Sequence, residues 1–157
     1  MADKQIVKQL TSLLTQGNAH VTFEDSVQNI PFDILGEKPQ NLPHSIWMLV
    51  EHIRIAQADI LDFSINANYK ALKWPDEYWP SKHSPKDEAE WQKSLEQIRQ
   101  DREEFIALIS KPGIDLFSAF PYGEGQNLLR EALLIADHTS YHTGQIILVR
   151  RLLNDWE

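Results

Sequence analysis

The chain has 157 residues, a formal net charge of −8 and no cysteine. Its length favours one domain, residues 1–157, built around a single core. The lack of cysteine excludes a disulfide framework, a thiolate metal site and a thiol nucleophile supplied by the chain itself. The negative charge argues against nucleic acid and anionic membranes as partners, because both are bound chiefly through lysine and arginine.

The sequence shows neither the pattern of a membrane-spanning helix nor that of an export signal. No segment approaches the roughly 18 uninterrupted apolar residues of a membrane-spanning helix. The first residues, Met1-Ala2-Asp3-Lys4, also lack the pattern of a secretory signal peptide. We therefore expect a cytoplasmic protein.

Apolar residues recur at helical spacing in four segments, and no segment is a convincing strand, so the predicted class is all-α. The first helix is expected over about residues 3–16, and the second over about residues 41–69, beginning at an Asn41 cap. The third is expected to begin at a Ser84 cap and to end before Lys111-Pro112-Gly113. The fourth covers about residues 127–153 and is apolar nearly all round, which predicts that it is the most buried helix.

Four helices in one domain pack most economically as a four-helix bundle, whose interior is a common place for metal sites. The predicted connections are long, with roughly 25 residues after the first helix and about 15 after each of the next two, against about 2 to 8 in typical bundles. Long loops often shape a pocket. The aromatic loop from Trp74 to Trp79 either lines a substrate entrance or a dimer contact, or serves to anchor that connection on the bundle.

Three histidines form the strongest candidate site. His138 and His142 lie four residues apart in the fourth helix, so their side chains project from one face about 6 Å apart. His52 borders the apolar stripe of the second helix, and a second helix packed alongside can supply a third ligand. Three protein ligands with one open position is the arrangement of catalytic zinc sites.

The same histidines have a plainer interpretation. Six histidines in a chain of this length give about 0.2 pairs at this spacing by chance. A histidine on an apolar helix face is also more often hydrogen-bonded to a neighbour than bound to a metal. In favour of a metal, coordination offsets the cost of burying three imidazoles, since a ligand must be neutral anyway.

Two segments of the chain resemble the DinB/YfiT-like superfamily. Asn41–Ile53 resembles the second helix of that family, and Ala132–Arg151, with its His-x-x-x-His-x-Gly-Gln pattern, resembles the last. The resemblance implies a four-helix bundle in up-down-down-up order with a long crossover. It makes His52, His138 and His142 the ligands of one divalent ion, and it implies a homodimer.

The assigned activities of that superfamily are metal-dependent and imply a small-molecule substrate. They are transfer of low-molecular-weight thiols such as bacillithiol or mycothiol, isomerisation of a thiol adduct, and hydrolysis. Our first hypothesis is therefore a DinB-like thiol S-transferase or hydrolase. Imidazole suits Zn, Ni, Fe and Cu alike, and we expect a divalent Zn, Ni or Fe ion.

Two hypotheses from other classes remain open. One is a non-catalytic bundle with a structural metal that acts as an interaction module, and it predicts a closed fourth position on the ion. The other is a metal-free, ligand-binding bundle in which the histidines are incidental. It predicts that replacing His142 by Ala leaves the metal content unchanged.

Catalytic residues stay unassigned. Thr139 stands where a His-Glu-x-x-His zincin has its Glu, which argues against that protease chemistry. Gln145 is expected either to orient a ligand or to make a structural hydrogen bond. Gly144 predicts a close approach by a neighbouring helix or by a ligand, of which helix packing is the explanation we favour. Three acidic residues flank the histidines in sequence and are candidates to orient an imidazole or to act as a base, but adjacent helix positions diverge by about 100°, so we expect them at the surface: Glu51, Glu131 and Asp137. Three further histidines are also expected at the surface: His20, His44 and His83.

Overall fold

Five α-helices and two short 3₁₀ turns make up the protein in a computed structural model that describes residues 4–157. No strand occurs within these residues, which confirms the all-α prediction. Asp3, at the start of the first predicted helix, lies outside them. No helix in the described range combines the length and the apolar character needed to cross a bilayer. The helices are α1 (Lys4–Thr15), α2 (Phe23–Val27), α3 (Ile46–Ile65), α4 (Glu88–Ile109) and α5 (Leu128–Leu152), and the 3₁₀ turns are Phe32–Ile34 and Asp76–Tyr78.

Two predicted helix starts are wrong, because other side chains cap the helices. α3 begins after Ser45, whose hydroxyl accepts a first-turn N–H, while Asn41 lies in the loop before it. The same hydroxyl donates to the His83 carbonyl at 2.5 Å, which ties the start of α3 to a distant part of the chain. α4 begins after Asp87 and not Ser84. A carboxylate at this position also interacts favourably with the helix dipole.

The connection between α1 and α3 contains a helix that the apolar pattern does not predict. α2 has five residues and begins with a capping box, in which Thr22 and Asp25 each bind the other's backbone N–H through their side chains. A helix of little more than one turn is too short to establish a 3.6-residue period. Its formation therefore depends on the cap and on packing.

Contacts along the helices establish the predicted up-down-down-up order. The starts of α3 and α4 share one core cluster with the end of α5, and Trp47 packs on Trp91 there at a ring-centroid distance of 6.4 Å. The ends of α3 and α4 share the other cluster with the start of α5. α3 and α4 therefore run parallel to each other and antiparallel to α5. Leu10 of α1 joins the second cluster, whereas Arg150 near the end of α5 donates to the Ser26 carbonyl of α2 at 2.8 Å. The chain from α1 to α2 therefore runs in the direction of α5.

α3, and not α5 as predicted, is the most buried helix. In α3, 12 of 20 residues are buried, against 9 of 25 in α5. α3 packs against both α4 and α5, whereas α5 leaves Leu133, Tyr141 and Leu148 exposed. α5 is capped by Asn127, the residue at which the fourth predicted helix begins. The apolar residues on every side of α5 therefore do not mean that every side of this helix is buried.

Candidate metal centre

The centre of the molecule brings together the three histidines that the sequence singled out. The middle of α3 supplies His52, and α5 supplies His138 and His142 one turn apart. One ring nitrogen from each of the three lies within 4.8 Å of the other two. His52 and His142 are 3% and 6% exposed, so the cluster belongs to the interior.

Hydrogen bonds fix the orientation of two of these imidazoles. Nδ1 of His52 lies 2.7 Å from the Tyr78 carbonyl oxygen, which can only accept, so Nδ1 carries the proton. Nδ1 of His142 lies 2.6 Å from Oε1 of Gln145, again an acceptor. In both rings Nε2 is therefore left with its lone pair available to a metal. Of the two roles predicted for Gln145, the geometry fits the orienting one.

Burial keeps the cluster uncharged. Desolvation is the main cause that lowers the pKa of His138 to about 3 and that of His142 to about 4, and the neighbouring imidazoles lower both further. Desolvation also lowers the pKa of His52, although its bond to the Tyr78 carbonyl opposes this effect. All three are neutral at pH 7, which is the form that binds a metal ion.

The donor set suits a divalent ion better than it suits a closed hydrogen-bond network. Nε2 of His138 lies 3.0 Å from Nε2 of His52, close to the distance of about 3.3 Å between two nitrogens that share a tetrahedral zinc ion. Without an ion, a protonated Nε2 of His138 can donate one hydrogen bond to Nε2 of His52. Among residues 4–157, no donor then reaches the Nε2 lone pair of His142, and a cation would satisfy all three rings.

A cavity of about 480 Å³ opens beside the cluster. Its wall is mainly aromatic and aliphatic, and none of the described residues that line it is Lys or Arg. Its volume is in the usual range for small-molecule sites. Besides the three histidines it is lined by Ala56, Ile60, Leu134, Trp74, Tyr78, Trp79, Tyr141, His44, Asp59 and Gln145.

His44 belongs to this cavity, so its predicted place at the surface is wrong. Its ring stacks on Trp79 with centroids 4.0 Å apart, and Trp79 also stacks on His52 at 4.0 Å. Nδ1 of His44 is buried and has no hydrogen-bond partner among the described residues. Burial lowers the pKa of His44, and Lys38 and His52 add to this effect. The sequence places His44 in the first turn of the second predicted helix, and nothing in its spacing indicates this contact.

A carboxylate and two tyrosines form a second feature that the sequence reasoning missed. Asp59 accepts hydrogen bonds from the hydroxyls of Tyr78 at 2.6 Å and Tyr69 at 2.9 Å. Burial and the hydrogen bond to Asp59 raise the pKa of Tyr78, and they raise that of Tyr69 to about 12, so both hydroxyls keep their protons. Tyr69 makes this contact because α3 ends at Ile65, before the predicted end at Tyr69. Asp59 follows His52 by two helical turns, which is the one signal that could have identified it.

The acidic side chains next to the ligands in sequence do not line the cavity. Glu51 and Glu131 are 8% and 1% exposed, so the prediction that they lie at the surface is wrong. Glu51 pairs with Arg54 at 2.8 Å, and Glu131 pairs with Arg130 at 2.9 Å. The remaining three side chains expected at the surface are exposed: Asp137, His20 and His83.

Comparison with known proteins assigns the chain to a family. The sequence model of the DinB superfamily matches residues 18–146, a range that includes all three clustered histidines. The chain therefore belongs to the DinB superfamily, and a buried three-histidine group that can bind a metal ion is compatible with that membership. Neither the curated proteins nor the solved structures contain a match to the chain.

Proposed function

We propose that the protein is a metal-dependent enzyme that acts on a small molecule, either as a thiol S-transferase or as a hydrolase. His52, His138 and His142 would hold one divalent ion, which we propose to be Zn, Ni or Fe. The observation that carries the proposal is a buried cluster of three neutral imidazoles in the wall of a cavity of about 480 Å³. Such an ion supplies a Lewis-acid position that binds a thiol or a water molecule and lowers its pKa.

The residues around the ion would prepare this position. The Tyr78 carbonyl and Gln145 hold two of the imidazoles in the tautomer that exposes Nε2. Since the chain has no cysteine, a thiol would enter as a cosubstrate. Asp59 has an oxygen bonded to each of two tyrosines, so it is occupied in positioning and is not free to act as a base.

The cavity wall also limits the proposed substrate. It offers aromatic and aliphatic surface but, among the described residues, no cationic side chain to pair with an anion. We therefore expect the part of the substrate that enters the cavity to be uncharged and partly apolar, because an unpaired anion would lose its hydration without compensation. This proposal does not restrict the part that remains in solvent.

The first test is elemental analysis of untagged protein purified without added metal. We expect about one equivalent of Zn, Ni or Fe per chain, and loss of that metal in His142→Ala. His20→Ala is the matched control, because it removes an exposed imidazole outside the cavity. Equal metal content in wild type and His142→Ala, or no uptake on titration, would contradict the proposal and favour a metal-free bundle.

A purely structural metal is the main alternative, and the cavity argues against it. A structural zinc site normally closes its fourth position with a protein ligand, whereas the candidate group among residues 4–157 contains three ligands beside open space. Assays with low-molecular-weight thiols and electrophilic acceptors, and with hydrolysable esters and amides, would separate the two roles. Metal-dependent turnover that His142→Ala abolishes would support catalysis.

The homodimer is a separate proposal. Leu133, Tyr141 and Leu148 are exposed on α5, and their spacing places them on one side of the helix. Exposed apolar side chains grouped on one face mark interaction surfaces, whereas singly scattered ones do not. A molecular mass of two chains in light scattering would support a dimer. A mass of one chain at the same concentration would contradict it.

A further inference from the structure

The 3₁₀ turn that ends at Tyr78 contacts the candidate metal ligand on α3. The Tyr78 carbonyl accepts the Nδ1 proton of His52 at 2.7 Å. The next residue, Trp79, stacks on the same imidazole with ring centroids 4.0 Å apart and an interplanar angle of 4°. One short segment of loop therefore restrains His52 both at its edge and on its face.

A second bond returns this segment to the helix that carries His52. The Tyr78 hydroxyl donates to Oδ2 of Asp59 at 2.6 Å. Asp59 and His52 are separated by seven residues, or about two helical turns, and project from the same face of α3. Tyr78 thus binds α3 twice, once through its backbone at the ligand and once through its side chain at Asp59.

From this geometry we propose that Tyr78 is a positioning residue for the metal ligand His52, with Asp59 as its anchor. The proposal rests on the proposed function, because it concerns the same metal site. The two bonds close a ring from α3 through Asp59, Tyr78 and His52 back to α3. Without the hydroxyl, the carbonyl would depend on the long connection between α3 and α4, residues 66–87, to hold its place.

This positioning matters because a ligand that is free to rotate loses entropy when it binds a metal. A partner that fixes the tautomer and ring plane of a ligating histidine removes part of this cost, and loss of such a partner weakens metal affinity by about 10- to 100-fold. The Tyr78 hydroxyl does not contact His52 itself. It bonds to Asp59 and so holds the residue whose carbonyl contacts His52. We therefore expect its removal to weaken affinity by about 10-fold, at the lower end of that range.

The chain offers a matched control in Tyr69. Its hydroxyl donates to the other oxygen of Asp59 at 2.9 Å, while its backbone N–H bonds to the Asn66 carbonyl at 3.0 Å. Tyr69→Phe and Tyr78→Phe each remove one hydroxyl from the same carboxylate. In the described structure, Tyr78 is the one whose backbone reaches His52.

The test measures the zinc affinity of wild type, Tyr78→Phe and Tyr69→Phe by competition with a chromophoric chelator. We expect about a 10-fold loss in Tyr78→Phe and less than about a 2-fold loss in Tyr69→Phe. Proton NMR of the metal-free proteins supplies a second readout. The Nδ1 proton of His52, assigned by its loss in His52→Gln, should exchange slowly with water in wild type and quickly in Tyr78→Phe.

Each outcome separates this proposal from the proposed function. Unchanged affinity and unchanged proton exchange in Tyr78→Phe would overturn the positioning role, as would equal losses in both tyrosine variants. If wild type binds no zinc but the proton signal is lost in Tyr78→Phe, the proposed metal function fails while the restraint on His52 stands. If Tyr78→Phe does not fold, Asp59→Leu removes the same anchor and carries the same expectations, with Tyr69→Phe again as control.

Discussion

Two cavities of similar size flank α5, and they differ in what their polar groups already bind. The histidine cavity measures about 480 Å³, and the other, between α5 and the segment from Leu13 to Glu24, measures about 460 Å³. In the second cavity Arg102 pairs with Glu24, and Nε2 of His20 lies 2.8 Å from the Ser140 hydroxyl. In the first, the Nε2 lone pair of His142 meets no hydrogen-bond donor among the described residues. Volume alone therefore does not identify the site, whereas imidazole nitrogens without suitable partners do.

The two cavities contain different polar groups because they lie against different faces of α5. His138 and His142 point from α5 toward α3, and the residues that follow each of them, Thr139 and Thr143, line the other cavity. The Thr143 hydroxyl is buried there and has no hydrogen-bond partner within the described part of the chain, but a neutral hydroxyl is a poor ligand for the metals that imidazole favours. We thus expect metal to act on one side of α5, while the charged pair on the other side contributes to stability.

The largest expected effect is stabilisation by metal at the histidine cavity. An ion that binds the folded chain at 100 times its dissociation constant adds about 2.7 kcal/mol to the free energy of unfolding. For a chain of this size that corresponds to a rise in Tm of roughly 5 to 11 °C. Thermal unfolding with zinc and then with excess chelator measures this change.

His142→Ala should remove the effect, and Glu24→Gln, at the second cavity, should leave it intact. An equal rise in Tm for wild type and His142→Ala would place the metal elsewhere. It would also end the distinction between the two cavities.

A smaller effect is expected when the charged pair of the second cavity is broken. Glu24→Gln keeps the shape of the side chain but removes the charge that faces Arg102, which is 9% exposed. Loss of one partner leaves a buried charge with weaker compensation, and because Glu24 is itself half-exposed we expect a cost of about 1 kcal/mol. Urea unfolding measures it.

The matched control for this pair is Glu103→Gln. It breaks the exposed pair between Arg99 and Glu103, for which we expect a change of less than about 0.5 kcal/mol. Equal costs in the two variants would show that burial of Arg102 does not matter. Weaker metal binding in Glu24→Gln would show that the two cavities are coupled.

The histidine cavity also shows which parts of the candidate site can be predicted from the sequence. The three clustered histidines were predictable because they lie on long helices, whose register the apolar period and the family resemblance define. His44, Tyr78 and their contacts were not predictable, because they depend on how the connection 66–87 folds back onto α3. That fold is set by contacts between distant residues, such as Ser45 with His83 and Tyr78 with Asp59. Hydrophobic periodicity and capping patterns are local in sequence, so they do not predict contacts between distant residues.

The helix starts illustrate the same limit on a smaller scale. Asn41 and Ser45 are both acceptable caps by residue type. Ser45 is the actual cap, and its hydroxyl also bonds to the His83 carbonyl. Similarly, the apolar pattern of α5 identified a helix but not its exposed face, because exposure depends on which neighbours are present.

The smallest expected effect concerns Gly144, which separates the ligand-bearing turn from the rest of α5. The close approach of a neighbouring helix predicted from this glycine is wrong, since a Cβ at this position would lie more than 4 Å from every described atom outside the adjoining backbone of α5, and the residue is exposed. Gly144→Ala should therefore stabilise the protein by about 0.5 to 1 kcal/mol, because alanine loses less backbone entropy in a helix. Urea unfolding of metal-free protein measures this gain, and zinc affinity should stay within about 2-fold of wild type, well below the loss of a positioning contact. Destabilisation would show that a second chain packs into the open space at Gly144, and weaker zinc affinity would show that the ligands depend on flexibility at this turn.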